Sequence, residues 1–211
     1  MKRCTAVLVF WTALFAMQFV QAAEVLDQQW TDTTRADTST GFDADYGFSA
    51  QTFTVGISGT LAHVEVYVSD QGDINVHGDL QIAIWNTVSG VPNAPLATTT
   101  ISEDAFPGFS QKMWVNADFG SAALMVSSGD QLAIVLSSLG DKNYSFYGTL
   151  DSPFYVGGSA FQFSGGTWNQ DFFDRHYSEL FKTYVIIPEL ASSTLFVAGG
   201  MGLLIWARRR K

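Results

Sequence analysis

The sequence predicts an all-β protein built as an antiparallel β-sandwich. Three observations carry that prediction. Apolar side chains alternate with period two in several windows of the 211 residues, the pattern of a strand with one buried face. Glycine, proline and aspartate recur between those windows as turn signals. Outside the two ends of the chain, no window sustains a 3.6-residue period. Short strands at this spacing imply two antiparallel layers, jelly-roll-like in arrangement. The composition agrees: 47% hydrophobic against 15% charged residues excludes a disordered chain. The 17 Phe, 7 Tyr, 6 Trp and 19 Gly favour strands and tight turns.

Taken in order, residues 1–23 have the three parts of a secretory signal peptide. Lys2 and Arg3 give the positive start, Ala6 to Val20 the apolar run, and Ala22 and Ala23 the small residues of a cleavage site. The implied partners are the Sec translocon and signal peptidase. An uncleaved anchor is the alternative, but the apolar run is short for a span. Residues 24–47 are polar and Asp/Thr-rich, and are expected to form an extended leader that becomes ordered near Tyr46.

The sandwich is expected over 48–186. Gln51–Val55 is its first strand candidate. In Leu61–Val68, Ala62, Val64, Val66 and Val68 share one face, with His63, Glu65 and Tyr67 on the other. In Leu80–Asn86, Leu80, Ile82 and Ile84 alternate with Gln81, Ala83 and Trp85. In Lys112–Phe119, Met113, Val115, Ala117 and Phe119 alternate with Lys112, Trp114, Asn116 and Asp118. Leu132–Leu136 reads as a fully buried run. Tyr144–Tyr147, Ser159–Phe163 and Leu180–Ile186 follow, the last as a closing strand. Turn signals at Gly56, Gly72, Gly90 with Pro92, Gly129-Asp130, Gly140-Asp141, Gly157-Gly158 and Gly165-Gly166 separate them. No internal repeat and no second domain is visible.

The C-terminal stretch 187–211 is the more informative end. Pro188-Glu189-Leu190 precedes a short polar stretch, an apolar and glycine-containing segment to Ala207, and the cluster Arg208-Arg209-Arg210-Lys211. Leu190 to Ala207 is 18 residues, long enough to cross a hydrocarbon core of about 30 Å at about 1.5 Å per residue. The terminal cations would remain cytoplasmic, placing the domain outside. This tail resembles the PEP-CTERM sorting signal of bacterial surface proteins. Pro188 and Glu189 match its motif, the apolar segment its transmembrane helix, and Arg208 to Lys211 its basic end. Leu190 stands where that motif usually carries a second proline. The resemblance implies processing by an exosortase-type enzyme and delivery to the envelope, the outer surface or the medium. A plain single-pass anchor predicts the same topology and differs only in retaining the tail.

The middle also has a family look. Ala50-Gln51-Thr52-Phe53-Thr54-Val55, Leu80 to Trp85 running into Ser89-Gly90-Val91-Pro92, Ser128-Gly129-Asp130, Gly165-Gly166-Thr167-Trp168 and Phe181 to Val185 follow one another. This order resembles jelly-roll domains of bacterial surface proteins over roughly Phe48 to Val185. It implies a fold and a location, not an activity.

Charge narrows the partners. Two of the 11 basic residues precede the first apolar run and four follow the last, leaving five against 20 acidic residues, a net charge of −15 for the middle. Such a surface repels nucleic acid and anionic lipid. It suits solubility, divalent cations or neutral polymers. The single cysteine, Cys4, lies in the signal peptide, so the mature chain has neither disulfide nor thiol chemistry.

No catalytic constellation emerges. There is no G-x-S-x-G elbow, and His63, His77 and His176 have neither triad nor metal-type spacing. Twenty acids make some carboxylate pair inevitable, so glycosidase chemistry is not singled out. A structural calcium is the one cofactor with a signal: Asp43 and Asp45 alternate before Gly47, and Asp70 and Asp73 begin an acidic loop with Asn75 and Asp79. The alternative there is a solvated acidic turn. For sugar contacts the candidates are Trp85, Trp114, Trp168 and Tyr155, aromatic rings that could stack on exopolysaccharide or instead pack in a core. The expectation is a non-enzymatic, exported surface or extracellular-matrix protein. A carbohydrate-binding module is the alternative, ahead of a hydrolase.

Overall fold

The computed structural model describes residues 22–188 apart from 37, 44–46, 73–74, 151–152 and 171–175. The expected signal peptide up to residue 21 and the tail from Glu189 onward lie outside the described residues.

Fourteen strands run through the described residues. In chain order they are β1 (Ala23–Trp30), β2 (Thr38–Phe42), β3 (Phe48–Thr54), β4 (Gly59–Asp70), β5 (Leu80–Val88), β6 (Val91–Ile101) and β7 (Met113–Asp118). They continue with β8 (Met125–Val126), β9 (Gln131–Ser138), β10 (Tyr144–Leu150), β11 (Ala160–Ser164), β12 (Thr167–Asn169), β13 (Tyr177–Glu179) and β14 (Phe181–Ile187). The only helical elements described are three short 3-10 turns. No described helix is long and apolar enough to cross a membrane.

The strands form two antiparallel sheets. The first, of eight strands, runs β1-β14-β4-β10-β13, with β2 on β10 and β7 and β8 on β4. The second, of six, runs β12-β11-β3-β9-β5-β6. The fold is therefore a β-sandwich, as the period-two windows predicted. Val64, Val66 and Val68 of β4 are fully buried, while His63, Glu65 and Tyr67 between them point outward. They meet Phe53, Ile82, Ile84, Ile134 and Leu136 of the opposite sheet in one core. Each such side chain contributes about 1.5–3 kcal/mol on burial. In β9 every residue from Leu132 to Ser137 is buried, because Ala133 and Val135 on its outer face are covered as well.

Two parts of the sequence reading need correction. The segment 24–47 is not a leader outside the sandwich. It supplies β1, which lies beside β14, and β2, which pairs with β10 from Thr38↔Gly148 to Phe42↔Tyr144. Its apolar anchors, Trp30 and Phe42, are too far apart to register as an alternating window, although Phe42 is fully buried. The second omission is β6. This edge strand alternates poorly and carries Pro92 and Pro95, which an edge tolerates because one side of its backbone has no ladder partner.

The turn Gly157-Gly158 illustrates why a signal of that kind is reliable. A Cβ on Gly158 would fall 1.9 Å from the Thr52 carbonyl oxygen, so only glycine lets the chain pass this close to β3.

Candidate functional site

The outer face of the six-stranded sheet gathers the most distinctive surface. Register places Phe163 opposite Phe48, Phe161 opposite Ala50, Ala50 opposite Val135, Val135 opposite Ala83 and Ala133 opposite Trp85. The centre of this face is thus made of small residues. Their short side chains leave a floor on which large rings lie, and Phe48, Trp85 and Trp168 pack over Ala50, Ala133, Val135 and Phe161. Trp168 comes from β12, which folds back on β11 through the left-handed pair Gly165-Gly166, φ +62° and +85°.

The rings touch one another as edges and tilted faces. Trp85 and Trp168 meet at 6.0 Å and 88°. Phe48 lies 5.8 Å from Trp85 and 5.6 Å from Phe163, and Phe163 lies 5.2 Å from Trp168. Phe48, Trp85, Phe163 and Trp168 are half-buried, so each keeps part of its ring in water. Gln81 and Ser137, hydrogen-bonded at 3.4 Å, lie on the same face beyond them. Among the described residues, the strands that build this part of the face place no ionisable side chain on it. A surface of half-exposed rings bordered by amide and hydroxyl groups can stack on the apolar faces of neutral sugars.

The other predicted sugar contacts do not join it. Trp114 sits on the outer face of the opposite sheet, 5.2 Å from Tyr67, with the Lys182 ammonium 4.4 Å above its ring. Tyr155 is an interior ring and cannot present a face to a ligand: it is 8% exposed, packs edge-on to Phe181 and donates its hydroxyl to Gln28. Burial raises its hydroxyl pKa to about 12.

The acidic residues with a calcium-like pattern are placed as follows. Asp70 is nearly buried and forms an ion pair with Lys142 at 2.9 Å, and also accepts from the Gly72 amide. Asp43 follows β2, its carbonyl accepting from the Gly47 amide. Asp45 and Asp73 lie outside the described residues. Among the described residues, no group of three or more His, Cys, Asp or Glu side chains is arranged to hold a metal.

The histidines are dispersed. His63 stacks on Tyr184 at 4.1 Å with Glu24 3.4 Å from its Nδ1. His77 Nδ1 lies 2.6 Å from Glu103. The Gly78 amide and then His77 hold the Glu103 carboxyl below the usual range. His176 stacks on Phe154.

Sequence reasoning passed over one residue, Glu179. Its side chain is fully buried between the sheets. Thr40 of β2 and Ser49 of β3 donate to Oε1 at 2.5 and 3.3 Å, and Tyr177 donates to Oε2 at 2.9 Å. Its amide donates to Gln51 Oε1 at 2.8 Å. Burial drives the carboxyl pKa well above the ordinary value, and the three hydroxyl donors offset part of that rise. No single-sequence signal marks it, because its partners come from β2, β3 and β13, and only tertiary structure brings them together.

Compared with known proteins, the chain matches no family model, and no curated protein is significantly similar to it.

Proposed function

We propose that this chain is an exported, non-enzymatic bacterial surface or matrix protein. In this reading a jelly-roll-like domain is carried out by the Sec route and sorted by the PEP-CTERM-like tail. One observation supports it most directly. The compact unit of the fold spans Glu24–Ile187, the stretch between the signal peptide cleavage site and the Pro188-Glu189 motif. Strands β1 and β14, at the two ends of this unit, are neighbours in one sheet. Every strand of the described residues thus lies between Ala23 and Ile187.

The intact mass of the native protein, taken from envelope and medium, tests the reading. A mass lacking both Met1 to about Ala23 and everything beyond about Glu189 is expected. A mass retaining Leu190 to Lys211 would replace sorting with simple anchoring.

A second reading rests on the aromatic face. Phe48, Trp85, Phe163 and Trp168 form a contact surface for neutral polysaccharide, such as an exopolysaccharide of the cell's own matrix. Retardation of the protein in gels cast with polysaccharide, lost in Trp168→Ala and Trp85→Ala while circular dichroism stays unchanged, is the expected outcome. Equal migration in the presence and absence of a panel of neutral glycans would dispose of it.

A further inference from the structure

The β5–β6 hairpin carries the longest uncharged run of the chain. From Leu80 to Ser102 the chain carries no Asp, Glu, Lys, Arg or His. The middle of the chain as a whole has a net charge of −15. Three of the large exposed apolar side chains of the described residues, Val88 (59%), Val91 (37%) and Leu96 (47%), belong to this one hairpin. β6 is the edge of its sheet, paired only with β5. Its second half, Ala97–Ile101, is free of proline, so its outward amides and carbonyls can continue a ladder.

Proteins ordinarily guard such an edge with lysine, glutamate, a bulge or a covering element. Here Pro92 and Pro95 block the first half of β6 and nothing charged blocks the second. The occupant follows from electrostatics. Two copies of so acidic a molecule repel one another over most approaches, and the repulsion is least where both surfaces are uncharged. An isologous contact puts the same patch on both sides, and this hairpin, uncharged from Leu80 to Ser102, can meet its own copy without opposing like charges of its own. We infer that β6 pairs antiparallel with β6 of a second copy through Ala97–Ile101, joining two six-stranded sheets into one and burying Leu96 at the seam. A contact of one strand per partner is small, so the association is weak and becomes effective where the protein is crowded. This inference does not depend on the sorting tail or on sugar binding.

The test uses the full chain in mild detergent, with Cys4→Ser so that an introduced cysteine is the sole thiol. Thr98→Cys or Thr100→Cys, both exposed on β6, should give a disulfide-linked dimer on mild oxidation. Thr167→Cys, exposed on β12 at the opposite edge of the sheet, should not. Analytical ultracentrifugation should show a dimer that tightens as salt rises, because like charges are screened. Thr98→Glu/Thr100→Glu should weaken it by about 10-fold or more, roughly 1.4 kcal/mol. Cross-linking at Thr167 as efficient as at Thr98 would overturn the inference. So would a monomer at every salt concentration, or a dimer indifferent to the double glutamate variant.

Discussion

Glu179 sets a residue-scale problem, since a carboxyl without water must either find a counter-charge or stay protonated. Its close partners here are hydroxyls, from Thr40, Ser49 and Tyr177, and burial keeps its pKa well above the ordinary value. The sign of the pH effect follows. A carboxyl whose pKa is raised in the folded state binds its proton more tightly there than in the unfolded chain. Its contribution is complete below the unfolded value and is lost as pH climbs toward the folded one. Urea unfolding midpoints should therefore fall as pH rises above the ordinary glutamate range, and Glu179→Gln should flatten that decline. A decline of the same steepness in wild type and variant would assign it to other groups. Glu103 has the opposite sign: its pKa is lowered, first by the Gly78 amide and then by His77, so its contribution disappears on acidification. Comparing the Glu179 variant with wild type cancels that term, which is common to both.

At the scale of elements, sequence patterns succeed where one side of a strand is buried and the other is wet. β4 shows this best, with Val64, Val66 and Val68 inside and His63, Glu65 and Tyr67 outside. β9 was legible for a different reason, an unbroken apolar run covered on both faces. β1 was missed because its face is held by scattered polar contacts rather than by aliphatic repetition. Asp27 accepts from the Gly56 and Ile57 amides, the Gln28 amide donates to Thr183, and the Trp30 indole donates to Thr149 at 2.9 Å. The aromatic face was half legible. Trp85 and Trp168 could be named from the sequence, but their meeting depends on the β11–β12 hairpin and on alanines that leave them room. The correction to β1 is itself testable. Trp30 packs against Ala36, Tyr147 and Leu180, so Trp30→Ala should cost about 2–3 kcal/mol in chemical denaturation, somewhat below the range for a fully buried aromatic. A change within about 0.5 kcal/mol, the size expected for a surface site, would return residues 24–30 to the status of a leader.

The molecule as a whole is governed by an imbalance of charge that its own structure sharpens. Four of the five basic residues between the terminal segments fall among the described residues, and each is engaged. Arg35 donates to the Leu150 carbonyl, and Lys112 donates to the Ala36 carbonyl and covers Tyr147. Lys142 pairs with Asp70, and Lys182 with Glu65. Twenty acids outnumber these five cations, so many acids see one another across water within a Debye length, about 10 Å at 0.1 M ionic strength. That repulsion is relieved when the chain expands, and it weighs against the compact state. Added sodium chloride should therefore stabilise the fold. Between about 10 mM and 500 mM, unfolding should shift by roughly 1 kcal/mol, or about 2–4 °C in Tm for a domain of this size. Differential scanning calorimetry on the protein, repeated with sodium sulfate at matched ionic strength, separates screening from sulfate's strengthening of apolar burial. A Tm that rises with both salts alike supports screening. A Tm that is flat in chloride and rises only in sulfate would mean that the acidic surface is already neutralised, by bound cations or by a geometry that keeps the carboxylates apart.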